Sequence, residues 1–168
     1  MPIALTPVDV GSQFESRASV LIVPCGVCPK MCLAAARGRP MLDVTAGRRG
    51  DPLADHLDGV RGALGKRGIR AAIFPPPAAS PMMCLWPARA RRRLAKAAKG
   101  HDAVAVIGCE SARATVADAV DLPDDAVVQL MKTEGIANFM LTFKLPCAVG
   151  VAPTPRGTVP WPEAGRRG

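Results

Sequence analysis

Residues Ser19–Leu33 read SVLIVPCGVCPKMCL, an apolar run that passes directly into three cysteines. The uninterrupted, mostly β-branched segment 20–23 predicts a strand that is buried on both faces. Pro29 suits the first turn of a helix, and the Ala- and Leu-rich segment 30–37 contains no helix breaker. The stretch therefore predicts a strand, a tight turn and a helix. Its cysteines are Cys25, Cys28 and Cys32.

The spacing of these three cysteines favours a metal centre. Residues four apart share one face of a helix, so Cys28 and Cys32 can converge with Cys25 at the end of the strand. A helix N-terminus favours negative charge and so stabilises thiolates. Three cysteines at such spacing with a remote fourth are typical of iron–sulfur proteins, and four thiolates around zinc are the direct competitor. The sequence predicts a [4Fe–4S] cluster, with zinc as the alternative.

Length and composition place the chain among ordinary globular proteins. It has 168 residues, of which 49% are hydrophobic, and this is enough for one domain with a proper core. No apolar run reaches the ~18 to 20 residues that a membrane helix needs, and the N-terminus does not read as a signal peptide. We therefore expect a cytoplasmic protein. Thiols stay reduced in that compartment, so the six cysteines indicate metal binding or catalysis rather than disulfides.

Strands and helices alternate along the sequence. Strands are predicted at 20–24, 69–74, 102–108 and 126–131, with short strands at 41–45 and 147–151. Helices are predicted at 30–37, 52–64, 88–99, 111–120 and 135–143. This alternation predicts an α/β protein with a single three-layer, mostly parallel sheet and helices on both faces, which is a Rossmann-like arrangement. The predicted organisation is an N-terminal arm at 1–18, a cysteine-rich metal-binding domain at 19–151 and a Pro/Gly/Arg-rich tail at 152–168.

Cysteines follow three of the predicted strands. Cys25 and Cys109 come directly after strands, and Cys84 lies one loop beyond another strand. Ligands of parallel sheets sit beyond the carboxyl ends of the strands, so these cysteines should share one edge of the sheet. The fourth ligand is then either Cys84 or Cys109. The alternative is that both pack as small hydrophobic residues, as free cysteine often does.

Other residues at the same predicted edge are candidates for cofactor binding. The strand-to-helix turn 108–111 has free N–H groups that could hold an anion, and Glu110 lies in it. Glu134 follows a predicted strand and would face the same edge. The candidate cofactor-binding residues are Gly26, Gly108, Glu110 and Glu134.

The net charge of +8 allows an anionic partner. The basic run 89–93 is the densest cluster, and it fits either an interaction surface or a solvated helix face. No aromatic residues interleave with the arginines, so single-stranded nucleic acid is not indicated. Two further functions stay open: a structural zinc-binding module that recruits a protein through its basic face, and a thiol–disulfide oxidoreductase that uses Cys25 and Cys28.

The order of these features resembles the amino-terminal part of the MetV-type cysteine-rich accessory subunit of bacterial methylenetetrahydrofolate reductase. The resemblance lies in PCGVCPKMC at 24–32, the loop cysteine Cys84, VAVIGCESARATVADAV at 104–120 and GIANFMLTFKLP at 135–146. It covers roughly residues 20–151. The resemblance implies a metal centre on Cys25, Cys28, Cys32 and one of Cys84 or Cys109. It also implies an accessory or electron-transfer subunit that acts with a flavin-bearing redox partner in one-carbon metabolism.

Overall fold

The computed structural model describes residues 3–10, 13–44, 50–77, 80–145 and 147–160. This part of the chain contains four α-helices, which are α1 Cys28–Ala36, α2 Pro52–Gly65, α3 Ala88–Ala98 and α4 Glu110–Ala117. Its strands are β1 Ile3–Pro7, β2 Ser19–Pro24, β3 Leu42–Asp43, β4 Arg70–Ile73, β5 Ala103–Ile107, β6 Val127–Gln129, β7 Met131–Lys144 and β8 Ala148–Pro160. Short 3-10 segments occur at Met83–Leu85 and Asp124–Ala126.

The first sheet is parallel and has the strand order β4-β2-β5-β6. Its two central strands, β2 and β5, are buried along their whole lengths, as the continuous apolar runs predict. Pro24 pairs with Ile107, so the two strands end side by side. The residues that follow β2 and β5 therefore lie together at one edge, here called the carboxyl edge of the parallel sheet.

Helices cover both faces of the parallel sheet. On one face, α1 and α2 pack Leu33, Leu57 and Leu64 against Ile22 of β2. On the other face, α3 and α4 pack residues such as Leu94 against the opposite side of β2 and β5. Asp51 caps α2 by accepting hydrogen bonds from the amides of Leu53 and Ala54, which confirms the predicted start of that helix.

The second sheet is antiparallel, and it overturns the predicted fold class. Its strand order is β1-β7-β8-β3, and every pairing in it is antiparallel. The chain is therefore not built on a single, mostly parallel, Rossmann-like sheet. It combines a parallel and an antiparallel sheet of four strands each within the described residues.

The predicted helix at 135–143 is wrong, because these residues belong to the 14-residue strand β7. β7 pairs with β8 in a long hairpin, in which Ile136 lies opposite Val159 and Phe143 lies opposite Val149. The predicted domain boundary at residue 151 falls inside β8, which continues to Pro160. The predicted arm contains β1, which pairs with the first half of β7. Residues 161–168 of the predicted tail lie outside the described part of the chain.

Opposite the carboxyl edge, a polar network joins the start of β2 to the start of β5. The Asp102 carboxylate accepts hydrogen bonds from the backbone amides of Ala18 and Ser19 and from the Ser19 hydroxyl, at 2.8 to 3.0 Å. The Ser19 hydroxyl bond and the two amide bonds lower the pKa of Asp102. Within the described ranges, no helix is long and apolar enough to cross a membrane.

Candidate functional site

Cys25 and Cys109 lie next to each other at the carboxyl edge. The Cys25 amide donates a hydrogen bond to the carbonyl of Ile107 (2.9 Å), which extends the pairing of β2 and β5 by one residue. Cys109 follows β5 after a single residue and is the N-cap of α4. Gly108, which directly precedes Cys109, is packed tightly. A Cβ at this position would lie 3.5 Å from the Cβ of Cys25 and 2.7 Å from the Cβ of Ala112.

Cys28 is the first residue of α1 and is partly buried beside the same two thiols. Burial raises the pKa of Cys28, and the charges that Cys25, Cys109 and Cys32 would carry as thiolates raise it further. A hydrogen bond from the Ile3 backbone lowers it, but burial is the largest effect. The helix N-terminus therefore does not make Cys28 a low-pKa thiol, contrary to the expectation that it would stabilise thiolates there.

Cys84 reaches this group from the loop between β4 and α3. Its 3-10 segment is anchored by Met83, whose side chain is fully buried. The loop is also tied to the edge: the carbonyl of Pro81 accepts a hydrogen bond from the amide of Gly26 (2.9 Å) and lies 3.9 Å from the Cys25 sulfur. Burial and the charges of Cys25 and Cys109 raise the pKa of Cys84, although its side chain is exposed.

Cys32 and Cys147 occupy different surroundings. The Cys32 thiol is buried and donates a hydrogen bond to the carbonyl of Ile3 (3.3 Å), so it is directed at β1. Burial raises its pKa. Cys147 is exposed in the turn region between β7 and β8. The structure thus gathers Cys25, Cys28, Cys84 and Cys109, and it turns Cys32 towards the antiparallel sheet.

The thiols at the edge are neighbours, but their side chains do not converge on one point. In the part of the chain that the structure describes, no three His, Cys, Asp or Glu side chains are arranged so that they could hold a metal ion. The Cys25 and Cys32 sulfurs face backbone carbonyls instead. The donor set itself suits a thiolate-ligated centre, because it is all sulfur and comes from three separate loops at one edge. Rotation of the thiol side chains would be needed for ligation.

A cavity of about 420 Å³ opens beside Cys109. Its lining residues are Ile3, Cys109, Glu110, Ser111 and Thr133. The Thr133 hydroxyl of β7 donates a hydrogen bond to the Glu110 carboxylate of α4, which joins the antiparallel sheet to that helix beside the cavity. Cys28 and Cys32 contact the backbone of Ile3, so the cavity lies against the thiol group.

Two of the four candidate cofactor-binding residues serve packing. Gly26 leaves little room for a side chain, since a Cβ there would lie 3.1 Å from both the Cβ and the carbonyl oxygen of Pro81. Gly108 cannot carry a side chain, because its Cβ would overlap the Cβ of Ala112. Glu110 does line the cavity. Glu134 instead accepts a hydrogen bond from the Thr6 hydroxyl (2.9 Å) and pairs with Lys132 (3.2 Å).

Ile3 and Thr133 are site residues that the sequence did not reveal. They come from β1 and β7, and no local pattern indicates that these strands reach the carboxyl edge of the other sheet. The available signal was the alternation of Phe139, Leu141 and Phe143 in β7, which competes with the helix-like spacing of Ile136, Phe139 and Phe143.

Comparisons of the chain with protein-family models, with curated proteins and with solved structures found no match.

Proposed function

We propose that this chain is a metal-binding accessory or electron-transfer protein, whose centre is a [4Fe–4S] cluster held by cysteines at the carboxyl edge. The observation that carries the proposal is the placement of Cys25, Cys28, Cys84 and Cys109 on three loops at the carboxyl edge, where Cys25 and Cys109 both act on the pKa of Cys28 and of Cys84; ligation requires their side chains to turn towards a common point. Four sulfurs from distant parts of a chain match the ligand requirement of such a cluster. In this proposal the protein acts in the cytoplasm with a flavin-bearing redox partner, as the resemblance implies.

The proposed ligands are Cys25, Cys28, Cys84 and Cys109. In this proposal both Cys84 and Cys109 are ligands, rather than one or the other. Cys32 is assigned a supporting role, since its thiol is already bonded to the Ile3 carbonyl. When bound, the cluster would supply one-electron transfer with no change in the ligands. The protein's part is to hold four thiolates in place and to pack Met83 behind the loop.

The raised pKa of Cys28 and Cys84 agrees with a metal site. Metal binding drives deprotonation of its cysteine ligands, so a buried, protonated thiol can serve once the ion is present. The thiol–disulfide oxidoreductase alternative needs an attacking cysteine whose pKa is lowered, and Cys28, whose pKa is raised by burial, does not meet that requirement.

The test is anaerobic reconstitution of the full chain with iron and sulfide, and in parallel with zinc, followed by metal analysis and absorbance spectroscopy. The proposal expects a brown protein with about four irons per chain. Changing Cys28, Cys84 or Cys109 to serine should remove most of the iron. Cys147→Ser is the matched control, because Cys147 is exposed and lies on the β7–β8 hairpin, and it should keep the iron.

Two results would contradict the proposal. A chain that takes up one zinc and no iron would replace the electron-transfer function with a structural zinc module. A chain that binds neither metal, or one in which Cys147→Ser loses as much iron as Cys28→Ser, would remove the metal centre altogether.

A further inference from the structure

The outer face of α3 carries a row of cations. Arg89, Arg92, Arg93 and Lys96 are exposed, and Lys99 follows directly after the helix. The opposite face of α3 buries Ala90, Leu94 and Ala98 against the parallel sheet. At a rise of about 1.5 Å per residue, the row extends over roughly 15 Å.

These five cations have no acidic neighbour among the residues that the structure describes. Arg91, by contrast, is used internally: its guanidinium donates to the carbonyl of Trp86 (3.4 Å) and pairs with Asp118 (3.6 Å). An unpaired row of like charges is repulsive within the helix, since like charges at i and i+4 are destabilising. This cost is relieved when an anionic surface covers the row, so charge complementarity points to an acidic partner.

The cationic row begins next to the thiol group. Cys84 and Leu85 precede α3 by only a few residues, and both are exposed. Leu85 is 65% exposed and Met82 is 40% exposed, beside the buried Met83. Met and Arg are enriched at protein-binding surfaces, so the apolar side chains and the arginines next to them can belong to one such surface. We call the exposed side chains of Met82, Cys84, Leu85, Arg89, Arg92 and Lys96 the α3 face.

We propose that the α3 face docks an acidic electron-carrier protein, so that the partner sits over Cys84. This proposal rests on the proposed function, since it names the partner of that metal centre. A protein fits this face better than nucleic acid, because the cations adjoin the exposed apolar side chains of Met82 and Leu85, which an apolar protein surface can cover. These two side chains are not aromatic, so they offer no stacking platform for bases.

The experiment measures binding of the full chain to an acidic plant-type ferredoxin, chosen as a model of an acidic carrier, by calorimetry at low and at moderate salt. Arg92→Glu/Lys96→Glu reverses two charges on the α3 face. Lys66→Glu/Arg70→Glu is the matched control: it reverses an exposed Lys and an exposed Arg on a different surface and changes the net charge equally. We expect the α3 double variant to weaken binding about tenfold and the control to have little effect. Binding of the unchanged chain should weaken as salt is raised.

The proposal is overturned if both double variants weaken ferredoxin binding equally, because the effect would then be net charge alone. It is also overturned if a short DNA duplex binds the α3 face more tightly than ferredoxin does. Binding is measured on metal-free and on reconstituted protein. If the chain takes up no iron but still binds ferredoxin through the α3 face, the proposed metal centre is contradicted and the proposed docking surface is supported.

Discussion

The backbone amide of Cys25 donates a hydrogen bond to the carbonyl of Ile107 across the ends of two central parallel strands. This bond extends the parallel pairing of β2 and β5, which ends at Pro24 and Ile107, into the loops that follow the two strands. Cysteines that are 84 positions apart in the chain, Cys25 and Cys109, become neighbours as a result. The proposed function depends on this relationship, and the predictions below follow from the packing around it.

Gly108→Ala should destabilise the protein by about 1 to 3 kcal/mol, because the new methyl group would overlap Ala112 at 2.7 Å. Gly62→Ala is the matched control, since nothing lies within 4 Å of a Cβ at that position in α2. There, alanine should stabilise the helix by about 0.5 to 1 kcal/mol. Urea unfolding followed by circular dichroism measures both changes. A neutral Gly108→Ala would show that β5 and α4 pack more loosely than described.

Cys32→Ala should keep the iron of a reconstituted protein, whereas Cys28→Ala should lose it. The Cys32 thiol is bonded to the Ile3 carbonyl, and Cys28 lies among the thiols of the carboxyl edge. Cys32→Ala removes a weak thiol hydrogen bond and a little packing, so it should lower the free energy of unfolding by only about 1 kcal/mol. Iron content per folded chain is the measurement. If Cys32→Ala loses iron as completely as Cys28→Ala, then Cys32 is a ligand and must rotate away from β1.

Met83→Ala should lower the free energy of unfolding by about 2 to 5 kcal/mol, because Met83 is fully buried and its removal leaves a cavity. The same variant should release iron faster, since Met83 anchors the segment that carries Cys84. Met140→Ala serves as the control: Met140 is 58% exposed, and its loss should change stability by less than about 0.5 kcal/mol. Equal effects of the two variants would argue against the described anchoring.

Asp102→Ala should destabilise the protein at neutral pH, and this difference should shrink in acid. The folded state lowers the pKa of Asp102, first through the Ser19 hydroxyl and then through the amides of Ala18 and Ser19. A lowered carboxyl pKa adds stability above the unfolded value of about 3.9, and that stability is lost as the pH falls through the folded value. Urea unfolding of both proteins at about pH 7 and about pH 3 measures the difference.

The control for this prediction is Asp58→Ala, which removes an exposed carboxylate whose ion pair, among the described residues, is with Arg61, three positions away on α2. Its effect should be small at either pH. If Asp102→Ala lowers the free energy of unfolding by the same amount at neutral and at acid pH, then the charge of Asp102 does not contribute to stability.

Much of the parallel sheet could be predicted because its signals are local. Continuous apolar runs mark β2 and β5, and Asp51 with Pro52 marks the start of α2. The side-by-side placement of Cys25 and Cys109 followed from the rule that parallel strands end at one edge. The antiparallel sheet could not be found in this way. Its pairings join β1 to β7 across more than a hundred residues, and β7 has side chains that also suit a helix.

The amino-acid sequence by itself determined the alternating strands and helices of residues 19–129 and the placing of cysteines after strands. These properties depend on apolar periodicity, caps and Pro or Gly positions, which act over a few residues. Only the tertiary structure decided that residues 131–160 form a hairpin, that Ile3 and Thr133 reach the cavity and that Cys32 turns to β1. The physical reason is that strand pairing and thiol orientation depend on partners distant in the sequence, so no local pattern specifies them.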